Sequence, residues 1–159
     1  MIVSPVVARG LLVLSLLMAG TSLAADTASK PSGSGYFQCP KLSNRLTPAE
    51  VYAGRMRALY AGNVNLAFCY YAEDTVIVMP GTVIYGRDQA RQAFIQFSTL
   101  FGGVIPVPST VTIGGDVVLV TFSLDTPTAS IPDGADTFVV RDGRIQQQAV
   151  HASVVFHSR

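Results

Sequence analysis

From Thr47 onward the apolar residues recur first at helical spacing and later at every second position. Thr47-Pro48-Ala49-Glu50 reads as a helix start, with Thr47 as cap, Pro48 at the first position and Glu50 closing a capping box. Val51, Arg55, Leu59 and Gly62 then fall on one face, with Tyr52, Met56 and Tyr60 beside them. Gly62 ends this helix and Asn63 caps a short second one, VNLAFCYYA. The β-branched run Thr75–Met79 stops at Pro80-Gly81, and Val83-Ile84-Tyr85 makes a second short strand. Gly86-Arg87-Asp88 opens a third helix whose apolar face is Ala90, Phe94, Phe97 and Phe101, ended by Gly102-Gly103. Strands are predicted over Val104–Ile113, Val117–Leu124 and Ala135–Val140, with Pro127, Pro132 and Gly134 in a loop before the last of these. Asp142-Gly143 turns into a final strand. Helices come first and an antiparallel sheet follows, which predicts an α+β fold.

The last hairpin decides which side chains face inward. On the final strand Gln146, Gln148, Val150, Ala152, Val154 and Phe156 share the face that becomes apolar, and so point to the core. Ile145, Gln147 and His151 share the other. A two-residue Asp142-Gly143 loop pairs Asp136 with Ala149, whereas a three-residue loop with a left-handed Gly143 pairs it with Gln148. The three-residue loop is the favoured reading, because it puts Asp136, Phe138 and Val140 inward. It brings Asp136, Gln148 and Arg55 together on one wall. Arg55 lies four residues from both Val51 and Leu59, and a buried arginine calls for a carboxylate. Asp136 is then expected to be ionised, with a pKa lowered by the cation. With the shorter loop, His151 becomes the acid–base candidate instead.

The 159 residues suffice for one domain with a sizeable core. Residues 1–24 read as a signal peptide: one positive charge, the apolar run LLVLSLLMAG, then the small-residue site Ser22-Leu23-Ala24. Residues 25–46, rich in Ser, Gly, Pro and Lys, read as a flexible arm, and 47–159 as the folded domain. The expected location is therefore secreted or periplasmic, with no membrane contact once the signal is cleaved. That setting favours a Cys39–Cys69 disulfide, with two free thiols as the alternative. Charges are sparse and balanced, so no nucleic-acid partner is expected. Two histidines and two cysteines without close spacing imply no metal site, and no cofactor is expected.

Three segments carry a family likeness: ALYAGNVNLAFCYYAEDTVIVMPG, IYGRDQARQAF and GADTFVVRDGRI. They resemble, in order and spacing, the SnoaL-like and ketosteroid-isomerase-like branch of the nuclear transport factor 2-like superfamily, over about Thr47 to Phe156. The resemblance implies a cone, a curved antiparallel sheet wrapped around three N-terminal helices with a mostly apolar pocket inside, and often a dimer across the outer sheet face. The proton-shuttling aspartate of ketosteroid isomerases falls at Met79, which cannot accept a proton. Their oxyanion-hole tyrosine falls at Arg55 and their oxyanion-hole aspartate at Asp136. The histidine and aspartate on the last strand of SnoaL-like cyclases fall at Gln148 and Val150.

Three functions follow as expectations. The first is a binding module for a small apolar or amphipathic molecule, lined by Met79, Phe94, Phe138 and Val150, with Arg55, Asp136 and Gln148 orienting a polar group. The second is an isomerase, cyclase or epoxide-hydrolase-like enzyme of altered chemistry, with Asp136 as its catalytic group. The third is a structural dimerisation domain. A homodimer is the expected assembly.

Overall fold

The computed structural model describes residues 37–158. The expected signal peptide and the first part of the expected arm lie outside these residues. Three helices precede the main strands: α1 (Pro48–Tyr60), α2 (Val64–Phe68) and α3 (Arg87–Thr99), with β1 (Tyr71–Met79) and β2 (Thr82–Tyr85) between the second and third. After α3 come β3 (Pro108–Gly114), β4 (Val117–Asp125), β5 (Ala129–Arg141), β6 (Arg144–Ala152) and β7 (Val155–Phe156). The α1 start is the capping box expected of its sequence. Thr47 Oγ1 accepts from the Glu50 backbone N–H, and the Glu50 carboxylate accepts from the Thr47 N–H at 2.8 Å. The second of these bonds, together with one that the Thr47 hydroxyl donates to the same carboxylate, holds the Glu50 carboxyl below the usual range.

The strands form one curved, unclosed sheet in the order β2-β1-β6-β5-β4-β3, with β7 on β5. Every pair is antiparallel except β1 with β6, which is parallel. The fold is thus α+β, with the helices on the concave side. α1 packs against β4 and β5, and α3 packs against β1 and β2. Val51, Leu59, Phe68, Tyr71, Val118 and Phe138 are buried in the core between helices and sheet.

Several strand boundaries differ from expectation: β1 begins at Tyr71, four residues before the expected Thr75, and the final strand breaks after Ala152 into β6 and β7. Residues 104–107 are not in a strand; β3 begins only at Pro108. Pro132 and Gly134, expected in a loop, lie inside β5. Proline is tolerated there because the β4–β5 register shifts, with Leu124 opposite Ile131 and Phe122 opposite Gly134, so Pro132 sits at an irregularity. Gly134 is required, since a Cβ would strike the Phe122 ring.

The last hairpin corrects the favoured loop. Arg141 pairs with Arg144, so the loop has two residues, Asp142 (φ 51°) and Gly143 (φ 65°), both left-handed as a type I′ turn demands. The face expected for Asp136 is nevertheless retained. The register shifts beyond Val140–Ile145, so that Val139 meets Gln147, Phe138 meets Gln148 and Asp136 meets Val150. Gln146 is the extra residue of this bulge. Its carbonyl accepts from the hydroxyl of fully buried Thr75, and its amide donates to the Arg141 carbonyl. Gln146 is therefore not on the inner wall as expected, and Ile145, expected outward, is buried. Beyond the bulge the inner positions are Gln148 and Val150, while Gln147 and His151 are exposed.

Of the expected arm, residues 37–46 carry no regular structure but are fastened. Cys39 and Cys69 form a disulfide across 30 positions of sequence, which stabilises the fold by about 3–4 kcal/mol in a chain-entropy model. Arg144 donates to the Leu42 and Ser43 carbonyls. The Phe37 ring lies under the guanidinium groups of Arg87 and Arg91, at 5.5 and 4.9 Å.

Candidate functional site

The site starts from one turn of α1. Tyr52, Arg55 and Leu59 lie three and four residues apart, so one helix face presents all three to the concave side of the sheet. Arg55 is only 5 % exposed. Its Nε donates to the Tyr71 hydroxyl at 2.9 Å, and that hydroxyl donates to Gln148 Oε1 at 2.7 Å. One terminal nitrogen contacts the thioether of Met56 at 3.3 Å. The guanidinium lies 5.2 Å from the Phe138 ring centre and 5.6 Å from that of Tyr71. Phe68 stacks on Tyr71 at 4.8 Å, fixing the ring that holds the arginine.

Tyr52, Arg55, Met56, Asp136 and Phe138 line a small cavity of about 50 Å³, with Ile105, Pro106 and Phe122 also on its wall. Arg55 and Asp136 meet there, but they form no ion pair among the described residues. The reason is that Arg55 Nε is directed to Tyr71 on β1, and the charge is spread beneath two rings. Asp136 Oδ1 is inaccessible to solvent and has no hydrogen-bond partner among the described residues. Burial pushes the Asp136 carboxyl above its usual range, while Arg55 and the Gln148 amide act in the opposite sense. The expected lowering by a paired cation is thereby corrected: desolvation outweighs an arginine that is near but not paired. Burial likewise pushes the Tyr52 and Tyr71 hydroxyls up to about 12.

Of the residues expected on the pocket wall, Arg55, Asp136 and Phe138 line the cavity. Gln148 is buried behind it, reaching Arg55 only through Tyr71. Met79, Phe94 and Val150 are partly buried against the main core and are not on the cavity wall. Met79 is the last residue of β1, and Val150 stands opposite Asp136, away from the α1 side chains that close the space. Tyr71 is a dry bridge between arginine and glutamine, a role no local pattern announces. Tyr52 carried a signal that was open to reading, its place three residues before Arg55. His151 faces outward, opposite Ala135. Among the described residues no cluster of three or more His, Cys, Asp or Glu is arranged to hold a metal, and no helix is long and apolar enough to cross a membrane.

A curved, open sheet with three helices on its concave side and a polar pair facing a cavity defines the nuclear transport factor 2-like class of fold. The SnoaL-like domain model matches residues 53–148, and the chain belongs to that family. Among solved structures, the chain is similar to the epoxide hydrolase/cyclase-like enzyme SalBIII of pyran ring formation in the polyether salinomycin. The two are 25% identical over 67% of this chain and 90% of that one, with a TM-score of 0.56. A putative polyketide cyclase from Sinorhizobium meliloti is 17% identical over 64% of this chain and 93% of its own, TM-score 0.56. TerC, co-crystallised with polyporic acid, is 18% identical over 67% and 91%, TM-score 0.57. No curated protein matches the chain.

Proposed function

We propose that this domain binds a small apolar or amphipathic molecule in its cavity, outside the cytoplasm. The observation that carries the reading is the pair Arg55 and Asp136: a buried arginine and a half-buried aspartate with one oxygen shut off from solvent, on one cavity, that do not satisfy each other. Such groups destabilise an empty fold, and a ligand that supplies their partners offsets that cost. Phe138, Met56 and Ile105 offer apolar surface beside them. The cavity of about 50 Å³ has room for a few waters, so a larger ligand must displace the side chains at the mouth. Met56 and Ile105 are only partly buried and the loop before β3 has no strand pairing, which supports such an opening. A relative of this fold, TerC, has been crystallised with a small molecule.

The disulfide and the signal-like residues 1–24 support a secreted or periplasmic location. The outer sheet face supports a homodimer. Val78, Val83, Tyr85, Val117 and Leu119 are exposed on it, and the strand positions among them carry no Lys, Arg, Asp or Glu.

Native mass spectrometry of the protein purified from its own compartment tests this reading. A non-covalent added mass per chain is expected; protein that is repeatedly free of any ligand, and gains none from a cell extract, contradicts it. The second reading, an enzyme, is favoured by one observation: an Asp136 carboxyl raised by burial is closer to the working range of a general acid or base. If it holds, Asp136→Asn keeps ligand affinity and loses turnover.

A further inference from the structure

Two methionines lie among the described residues, Met56 and Met79, and their surroundings differ. Met79 ends β1 and packs against the main core. Met56 lines the cavity, is only partly buried, and holds its sulfur 3.3 Å from a terminal nitrogen of Arg55. A thioether is a weak acceptor for so strong a donor. The other hydrogen-bond partner of that guanidinium among the described residues is the Tyr71 hydroxyl, on Nε. A buried cation is thus capped at one terminal nitrogen by sulfur, where an oxygen would hold it better. Methionine sulfoxide is the same side chain with such an oxygen added to the sulfur.

We propose that Met56 is an oxidation site on the cavity wall, and that its sulfoxide oxygen pairs with the Arg55 guanidinium. The oxidant is a peroxide. The cavity has room for a few waters, and hydrogen peroxide is little larger. A sulfur lone pair attacks one peroxide oxygen, the O–O bond breaks and an S–O bond forms. The leaving hydroxide takes up the proton of the transferred oxygen, so the peroxide is reduced to water and the sulfur is oxidised by two electrons. To seat the new oxygen at hydrogen-bond length the sulfur must retreat by about 1 Å. The three torsions of an unbranched side chain allow this at a partly buried position. Sulfoxides ordinarily disrupt the packing around them; here the pairing with a buried charge offsets that loss. The oxygen also takes up part of a cavity of about 50 Å³, so oxidation narrows the space. The inference goes beyond the ligand reading and does not depend on it.

The test treats the whole protein with hydrogen peroxide in a Met79→Leu background, which leaves Met56 as the sole methionine of the described residues. Peptide mass spectrometry reads oxygen addition at Met56, denaturant titration reads stability, and nuclear magnetic resonance reads the Arg55 side-chain N–H groups. Oxygen addition at Met56 in the folded protein is expected, with a shift of the Arg55 signals. The unfolding equilibrium constant is expected to fall about tenfold, a change fit for one hydrogen bond to a charged group. In an added Arg55→Gln variant, which lacks the charge, the same oxidation is expected to raise that constant. Should this variant fail to fold, Met56→Leu with Met79 retained supplies the comparison, and its oxidation is expected to bring no gain in stability. Met56 left unmodified by peroxide that oxidises free methionine overturns the proposal. So does an oxidised protein no more stable than the untreated one, or an equal gain in either comparison variant.

Discussion

The two faces of the sheet are made from the same strands and carry opposite chemistry. The inner face carries a half-buried aspartate and a buried glutamine among Phe138, Val118 and Val120, with the buried Arg55 of α1 laid over them. The outer face leaves Val78, Val117 and Leu119 in water and has no acid or base at the strand positions between them. Ordinary folding would reverse both choices, since polar groups inside cost stability and apolar groups outside gain none. Strand alternation keeps the two sets apart only while the register holds. One residue, Gln146, preserves it: without that bulge the tight Asp142-Gly143 turn would send Asp136 and Gln148 to opposite faces. The proposed reading assigns the two faces different tasks, a ligand for the polar pair within and a second copy for the apolar surface without.

The largest effect is expected where the helices are fastened over the inner face. Replacing both Cys39 and Cys69 by serine removes the tie between the arm and the end of α2, and should lower unfolding stability by about 3–4 kcal/mol. Denaturant titration reads this, and an unchanged midpoint would show that the arm adds nothing to the cover. Gln148→Leu tests the inner polar chain. It takes the acceptor from the buried Tyr71 hydroxyl, a loss of about 2 kcal/mol, and should loosen the seat of Arg55. Asp136→Asn should act in the opposite direction. The folded-state pKa of Asp136 is raised, so the native protein is most stable with the group protonated and loses stability as pH rises through that pKa. The variant should gain on the order of 1 kcal/mol at neutral pH, and nothing in acid below the ordinary carboxylate range. The smallest effect on the fold is expected outside. Leu119→Glu should change monomer stability by less than about 0.5 kcal/mol, yet convert a dimer to monomer in sedimentation. A large loss of stability there would mean that the face is not a surface at all.

Much of this fold was legible because local signals agree with it. The capping box at Thr47, the turn at Pro80-Gly81 and the fork at Asp142-Gly143 fix where elements begin and end. The α1 face that carries Arg55 follows from spacing alone. What sequence periodicity does not encode is an irregularity within a strand. The bulge at Gln146 depends on a hydroxyl from Thr75, 71 positions away, and Pro132 lies inside β5 because a neighbouring strand slips by one residue. The expectation of three-residue closure reached the inward face of Asp136 through a loop that does not form. That Arg55 and Asp136 share a cavity was legible, and that they do not pair was not, because the competing partner, Tyr71, reads locally as one more core aromatic. Met79, Phe94 and Val150 were expected on the wall, Phe94 from its helix face and Val150 from strand alternation. In the chain itself, the α1 side chains and the loop before β3 close the space first.

The central claim is that Asp136 and Arg55 share a buried wall without pairing, and so await a partner. The most direct measurement is the pH titration of the Asp136 side-chain carboxyl by ¹³C nuclear magnetic resonance, assigned with Asp136→Asn. The account predicts a midpoint above the ordinary aspartate range in the ligand-free protein. A midpoint at or below that range would mean that the arginine already pairs with the carboxylate, and that the inner face holds a closed ion pair with no place for a ligand.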